Sequence, residues 1–154
     1  MLNASRVLIA SHGTPGARAA ELAALELAAP GAAILHLVVV PDFWKGMMGD
    51  DWLNNASTRA AYGRHVESQL AQEIEQHRIH FEREIRASGR HYEIKVVIGK
   101  PDEALLEYAA AARPDLVVIG APRPRGTPGL RSRMRVEKLI GALAVALVVI
   151  PHPR

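Results

Sequence analysis

Apolar residues in this chain fall into short, nearly unbroken runs, and the stretches between them carry helical spacing or helical composition. Val7-Leu8-Ile9-Ala10 is the first run, and Ser11-His12-Gly13-Thr14-Pro15-Gly16 stops it. A run of that length bounded by turn residues predicts a buried strand. Thr14 and Pro15 stand where an N-cap and a first helical residue belong, and Ala17 to Ala29 is Ala/Leu/Glu-rich. Those features predict a helix, with Pro30-Gly31 as its stop. Ala32 to Val40 is a second strand by the same rule, closed by Pro41. Asp42 to Asn55 has no period and reads as a loop. From Ala56 to Ser88, Val66, Leu70, Ile74, His77, Phe81 and Ile85 recur at three- and four-residue spacing. That is one face of a long helix, with Gly89 as its C-terminal stop.

His91 to Ile98 alternates and then turns apolar, giving a third strand. Gly99-Lys100-Pro101-Asp102-Glu103 leads into a helix that runs to about Ala112, with Pro at its start and acids in its first turn. Leu116 to Ile119 is a fourth strand and Gly120 to Gly129 a Gly/Pro/Arg loop. Arg131 to Gly141 is a helix, and Ala144 to Ile150 a fifth strand. Alternating strands and helices of this kind predict an α/β fold, a five-stranded parallel sheet with helices on both faces. Its crossovers should be right-handed. In such sheets ligands bind beyond the carboxyl ends of the strands, where the strand order reverses. The turns after strands one and four are therefore the places to look. No internal repeat or second domain is visible, so residues 1–154 read as one domain.

Composition narrows the chemistry. The chain has 154 residues, 49% of them hydrophobic, enough for one sizeable core. It has no cysteine, which excludes disulfides, thiolate metal sites and a Cys nucleophile. The longest nearly unbroken apolar run, Leu139 to Ile150, is about twelve residues, where a membrane span needs roughly 20. The first residues lack the basic and apolar regions of a signal peptide. A soluble cytoplasmic protein is expected, with no membrane partner. The net charge of +3 is too small to imply a dedicated nucleic-acid binder.

The segment from Asp115 to Pro151 resembles the universal stress protein family. It reads Asp115-Leu116-Val117-Val118-Ile119-Gly120, a glycine-containing loop, a helix with Glu137-Lys138, and a closing Val148-Val149-Ile150-Pro151. The family's strand, glycine-rich loop, E-K helix and closing V-V-P strand lie over it without a gap. Val7 to Thr14, Ala17 to Ala29 and Gly99-Lys100-Pro101 extend the resemblance over nearly the whole chain. It implies a Rossmann-like fold of the adenine nucleotide alpha hydrolase type and a stress-response binding or signalling module without catalytic residues of its own. It also implies a homodimer built on the last strand, here Ala144 to Pro151.

The family's ATP signature is G-x-x-G, nine residues, then G-S or G-T. Such glycines let backbone N–H groups approach phosphate oxygens. Gly120 matches the first position, but Arg123 and Arg133 replace the next two glycines and Met134 the hydroxyl. His12 stands where the family usually has Asp before Gly13. The resemblance thus implies weak or no ATP binding. Arg123, Arg125, Arg131, Arg133 and Arg135 nevertheless lie close together with no acid among them. Guanidinium groups match phosphate geometry, so a nucleotide or another phosphorylated ligand is one expectation. A solvated basic face, or pairing with acids of a partner subunit, is the other. The candidate ligand-facing set is Ser11, His12, Gly13, Val40, Gly120, Arg123, Arg133, Met134 and Arg135.

Other chemistry is thinner. His12-Gly13 matches part of the R-H-G turn of histidine phosphatases, but Ser11 replaces the phosphate-binding Arg. A phosphate-ester hydrolase or transferase using His12 and the loop arginines is the alternative reading. His77 and His80 lack a third metal ligand, and His77 sits on the apolar stripe as a core residue. Asp42, Asp50 and Asp51 lack the EF-hand spacing. No metal site is expected. Walker A and G-x-S-x-G patterns are absent. Phe43, Trp44, Met47, Met48 and Trp52 crowd one loop, which predicts a lid, a partner surface or a loop packed on its own domain.

Overall fold

A computed structural model describes residues 4–11, 18–41, 75–121 and 134–151 of the chain. Strand β1 spans Ala4–Ser11, helix α1 Arg18–Leu27 and strand β2 Ala28–Pro41. Helix α2 is described over residues 75–87. Strand β3 spans His91–Gly99, helix α3 Pro101–Ala112, strand β4 Leu116–Gly120, helix α4 Val136–Ala142 and strand β5 Ala146–Ile150. The five strands form one sheet in the order β3-β2-β1-β4-β5, and every neighbouring pair is parallel. The expected α/β architecture is present.

Period-two alternation in the central strands feeds two separate cores. Val7 and Ile9 of β1, Ile34 of β2 and Leu116 and Val118 of β4 face α1 and α2, where they meet Ala20, Ala24, Phe81 and Ile85. Leu8, Leu35, Leu37, Val117 and Ile119 face the other way onto Leu105 and Ala109 of α3 and Leu139 of α4. A strand buried on both faces must be apolar at every position, which is why these segments read as continuous runs. Asp115 fixes the amino edge: its carboxylate accepts the backbone N–H groups of Ser5 at 3.1 Å and Arg6 at 3.0 Å.

Several boundaries differ from the sequence expectation: β1 starts at Ala4 rather than Val7, and Met134 and Arg135, expected in the last helix, precede α4. Ala28 and Ala29 have strong helix propensity, yet they begin β2, because Ala28 pairs with Ala4. Pro30-Gly31 lies inside β2 and not after a helix. The register jumps between Ala4↔Ala28 and Arg6↔Ala33, and Gly31 takes φ +76°, a conformation that glycine adopts at little cost. β5 starts at Ala146, two residues later than expected. The predicted loop 42–55 and residues 56–74 of the long helix lie outside the described residues.

The ends of α2 and α3 follow the local chemistry. Gly89 at φ +80° stops α2 as expected. Pro101 opens α3, and Arg113 at φ 51° closes it by donating its N–H to the Ala109 carbonyl.

Candidate functional site

The sheet parts at one place along its carboxyl edge. β1 and β4 pair only from Val7↔Leu116 to Ile9↔Val118. Beyond that, Ala10 and Ser11 stay with Leu37 and Val38 of β2, while Ile119 and Gly120 stay with Val149 and Ile150 of β5. The chain builds outward from β1 through β2 to β3, then returns to place β4 on the other side of β1. This is the switch point where α/β sheets hold ligands.

Of the candidate residues, Ser11 ends β1, Val40 is the penultimate residue of β2 and Gly120 ends β4. All three stand on this carboxyl edge. A Cβ added at Gly120 would meet Ala20 Cβ at 3.9 Å, an ordinary contact, so packing does not demand glycine there. Met134 packs against the core between the sheet and helices α3 and α4. Arg135 precedes α4, and its Nε donates to Asp102 Oδ2 at 2.7 Å. His12, Gly13, Arg123 and Arg133 lie outside the described residues, as does the aromatic loop with Phe43 and Trp52.

Asp102 was not a sequence candidate. It sits in the first turn of α3, 2% exposed. Burial acts to raise its pKa, but the Arg135 hydrogen bond and the backbone N–H of Glu103 outweigh that and hold it below the usual value. Lys138 reaches Glu103 at 3.5 Å, so two ion pairs join α3 to α4 at the same edge of the sheet.

A second polar group lies where α1 and α2 cover the other face of the sheet. Glu21 of α1 is fully buried against His77 of α2, whose Nε2 is 2.8 Å from Oε2. His77 is part-buried and flanks the core, where the sequence had placed it inside. His80 is exposed and pairs with Glu84 at 2.6 Å. His36, in the middle of β2, is fully buried and shares a 2.8 Å hydrogen bond with the Tyr92 hydroxyl. Phe81 meets the imidazole edge-on at 5.1 Å. Burial pushes the His36 pKa down to about 3, assisted by His77 and Arg78. Burial likewise pushes the Tyr92 phenol up. Among the described residues, no group of three His, Asp or Glu side chains is arranged to hold a metal.

Glu21, His36 and Asp102 escaped the sequence reading as buried polar residues. His36 did carry a signal: it is the lone titratable residue in Ile34-Leu35-His36-Leu37-Val38. A residue in such a run has no route to solvent.

The chain was compared with known proteins. The family model described as the universal stress protein family matches residues 3–150. No curated protein sequence matches. Among solved structures, hypothetical protein MJ0577 superposes with a TM-score of 0.72 at 13% identity, covering 97% of each chain. A universal stress protein family protein from Arabidopsis thaliana with AMP bound gives 0.61 at 16% identity, over 97% of this chain and 92% of that one. A universal stress protein in complex with cAMP gives 0.51 at 13%, over 98% and 99%.

Proposed function

The chain belongs to the universal stress protein family, and from that premise we propose that residues 1–154 form one cytoplasmic stress-response module that works by binding rather than catalysis. Its ligand is a nucleotide or another phosphorylated small molecule, seated at the carboxyl edge between β1 and β4. The parting of those strands beyond Ile9 and Val118 carries this reading. Two relatives of the same fold were crystallised with adenine nucleotides, AMP and cAMP. Gly120 needs no glycine for its own packing, so its backbone is free for close approach by a ligand. Arg123 and Arg133 would supply the cationic contacts that the missing glycines and hydroxyl do not. Arg135 engages Asp102 through Nε, which leaves its Nη groups for an anion. ATP itself is held weakly or not at all. The comparisons give no support to a phosphate-ester hydrolase.

Thermal unfolding against ATP, ADP, AMP, cyclic nucleotides and inorganic phosphate, with and without magnesium, tests this reading. A ligand at 100 times its dissociation constant adds about 2.7 kcal/mol, a rise of several degrees for a domain of this size. The expected result is a shift with a smaller phosphorylated ligand that Arg133→Ala abolishes. A flat response across the whole panel refutes it.

The same proposal includes a homodimer through Ala144 to Pro151. β5 closes one edge of the sheet, with Val149 38% exposed and Ile140 of the preceding α4 70% exposed. An apolar edge strand left open invites pairing with a second copy. Light scattering should give twice the chain mass, and Val149→Lys should give a monomer. A wild-type monomer at micromolar concentration removes the dimer from the proposal.

A further inference from the structure

A second concavity lies far from the β1–β4 switch, where β3 closes the opposite edge of the sheet. It is a groove of about 380 Å³ between one stripe of α3 and one face of β3, within the range of small-molecule sites. Lys100, Glu103, Ala104, Glu107, Tyr108 and Ala111 form the helix wall. They recur at i, i+3, i+4, i+7, i+8 and i+11, so a single face of α3 lines it. Lys95, Val97 and Gly99 alternate along β3 and form the strand wall, and Leu37 of β2 joins the floor.

Each end of the groove carries one lysine and one glutamate, Lys100 with Glu103 and Lys95 with Glu107. α3 runs back antiparallel to β3, so Lys100 stands at one end and Glu107 near the other. Neither side chain makes a hydrogen bond or ion pair among the described residues. Lys138 offsets Glu103 at the Lys100 end, and the positive end of the α3 dipole points there too. Towards the other end Lys95 sits over the Tyr108 ring, 5.6 Å from its centre. Glu93 adds to the burial that keeps the Tyr108 phenol protonated, and Arg6 opposes it. Val97, Leu37 and Ala104 leave an apolar middle. Seven residues of helix separate Lys100 from Glu107, about 10 Å at 1.5 Å per residue.

We propose that this groove binds a short zwitterionic peptide with an apolar middle, its carboxylate at Lys100 and its ammonium at Glu107. Three extended residues span at most about 10–11 Å, which matches the separation of the two charges. The apolar side chain of the central residue rests on Val97 and Ala104. The Tyr108 hydroxyl, which makes no hydrogen bond among the described residues, offers a partner to the peptide backbone.

The probe is alanyl-leucyl-alanine, titrated into the full ¹⁵N-labelled chain, beside the same peptide acetylated and amidated at its ends. Amide shifts should cluster on residues 95–111. The capped peptide, Lys100→Glu and Glu107→Lys should each weaken binding at least ten-fold, about 1.4 kcal/mol. Ala104→Leu should fill the floor and block binding while the melting temperature holds. The proposal is overturned by absence of shifts at millimolar peptide, or by equal binding of the capped peptide. Shifts confined to Ser11 and Gly120 overturn it as well, and would assign the peptide to the other cleft.

Discussion

Acidification should destabilise this protein through His36. His36 is fully buried in β2 and stays neutral down to a pKa of about 3, because burial disfavours its charged form. In the unfolded chain it takes a proton near the model value of 6.5. Between those values the unfolded state binds a proton that the folded state cannot, so stability falls as pH falls. Above 6.5 the contribution is flat. From pH 7 to pH 5 the loss works out at about 2 kcal/mol, using 1.36 kcal/mol per pH unit of differential protonation. For a domain of this size that is a drop of roughly 4–8 °C in Tm. The decisive quantity is a difference between the wild type and a variant that cannot titrate at this position. His36→Asn keeps an amide near the Tyr92 hydroxyl and removes the titration. The variant will be less stable at pH 7, since the ring contact with Phe81 is lost. Urea unfolding at pH 5, 6 and 7 should show the gap between wild type and variant narrowing by about 2 kcal/mol on acidification. Parallel pH profiles would refute the assignment of a buried neutral imidazole.

Two further outcomes follow from buried pairs. His77→Ala leaves the fully buried Glu21 carboxyl group without its partner, and an unsatisfied buried polar group costs about 1–3 kcal/mol. Adding Glu21→Gln should recover part of that loss in chemical denaturation, and a double variant no better than the single would show that the pair is not the cause. Asp102→Asn should cost about 1–2 kcal/mol near neutrality, less than a fully buried charged hydrogen bond, because Arg135 is largely exposed. The Asp102 pKa is lowered in the fold, so its contribution is present above the unfolded value and lost on acidification. The gap between wild type and Asp102→Asn should therefore close in strong acid; a gap unchanged between pH 7 and pH 3 would count against the ion pair.

The sheet was legible because parallel strands buried on both faces leave little room for polar residues. Val7 to Ala10 and Leu116 to Ile119 announce themselves for that reason, and each lies within a strand. The start of β2 was not legible. Ala28 and Ala29 carry helix propensity worth a few tenths of a kcal/mol each, and pairing with β1, which no local signal reports, outweighs it. The Pro30-Gly31 pair, a sound stop signal for a helix, serves instead as the irregularity that resets the β1–β2 register.

The carboxyl edge of the sheet was legible in the order of elements, the chemistry gathered there only in part. The order of elements pointed to the turns after strands one and four, and Ser11 and Gly120 do end β1 and β4 on one edge. Arginine counting is less informative, because a guanidinium recruited by phosphate and one recruited by a carboxylate look alike in sequence. Arg135 finds its partner thirty-three positions away in Asp102, across a contact that exists only once α3 and α4 lie side by side on the sheet. That pairing also orients the remaining cationic chemistry. With Arg135 held at Nε by a carboxylate, its field at the cleft is largely neutralised, and a phosphorylated ligand would depend on Arg123 and Arg133 for net charge.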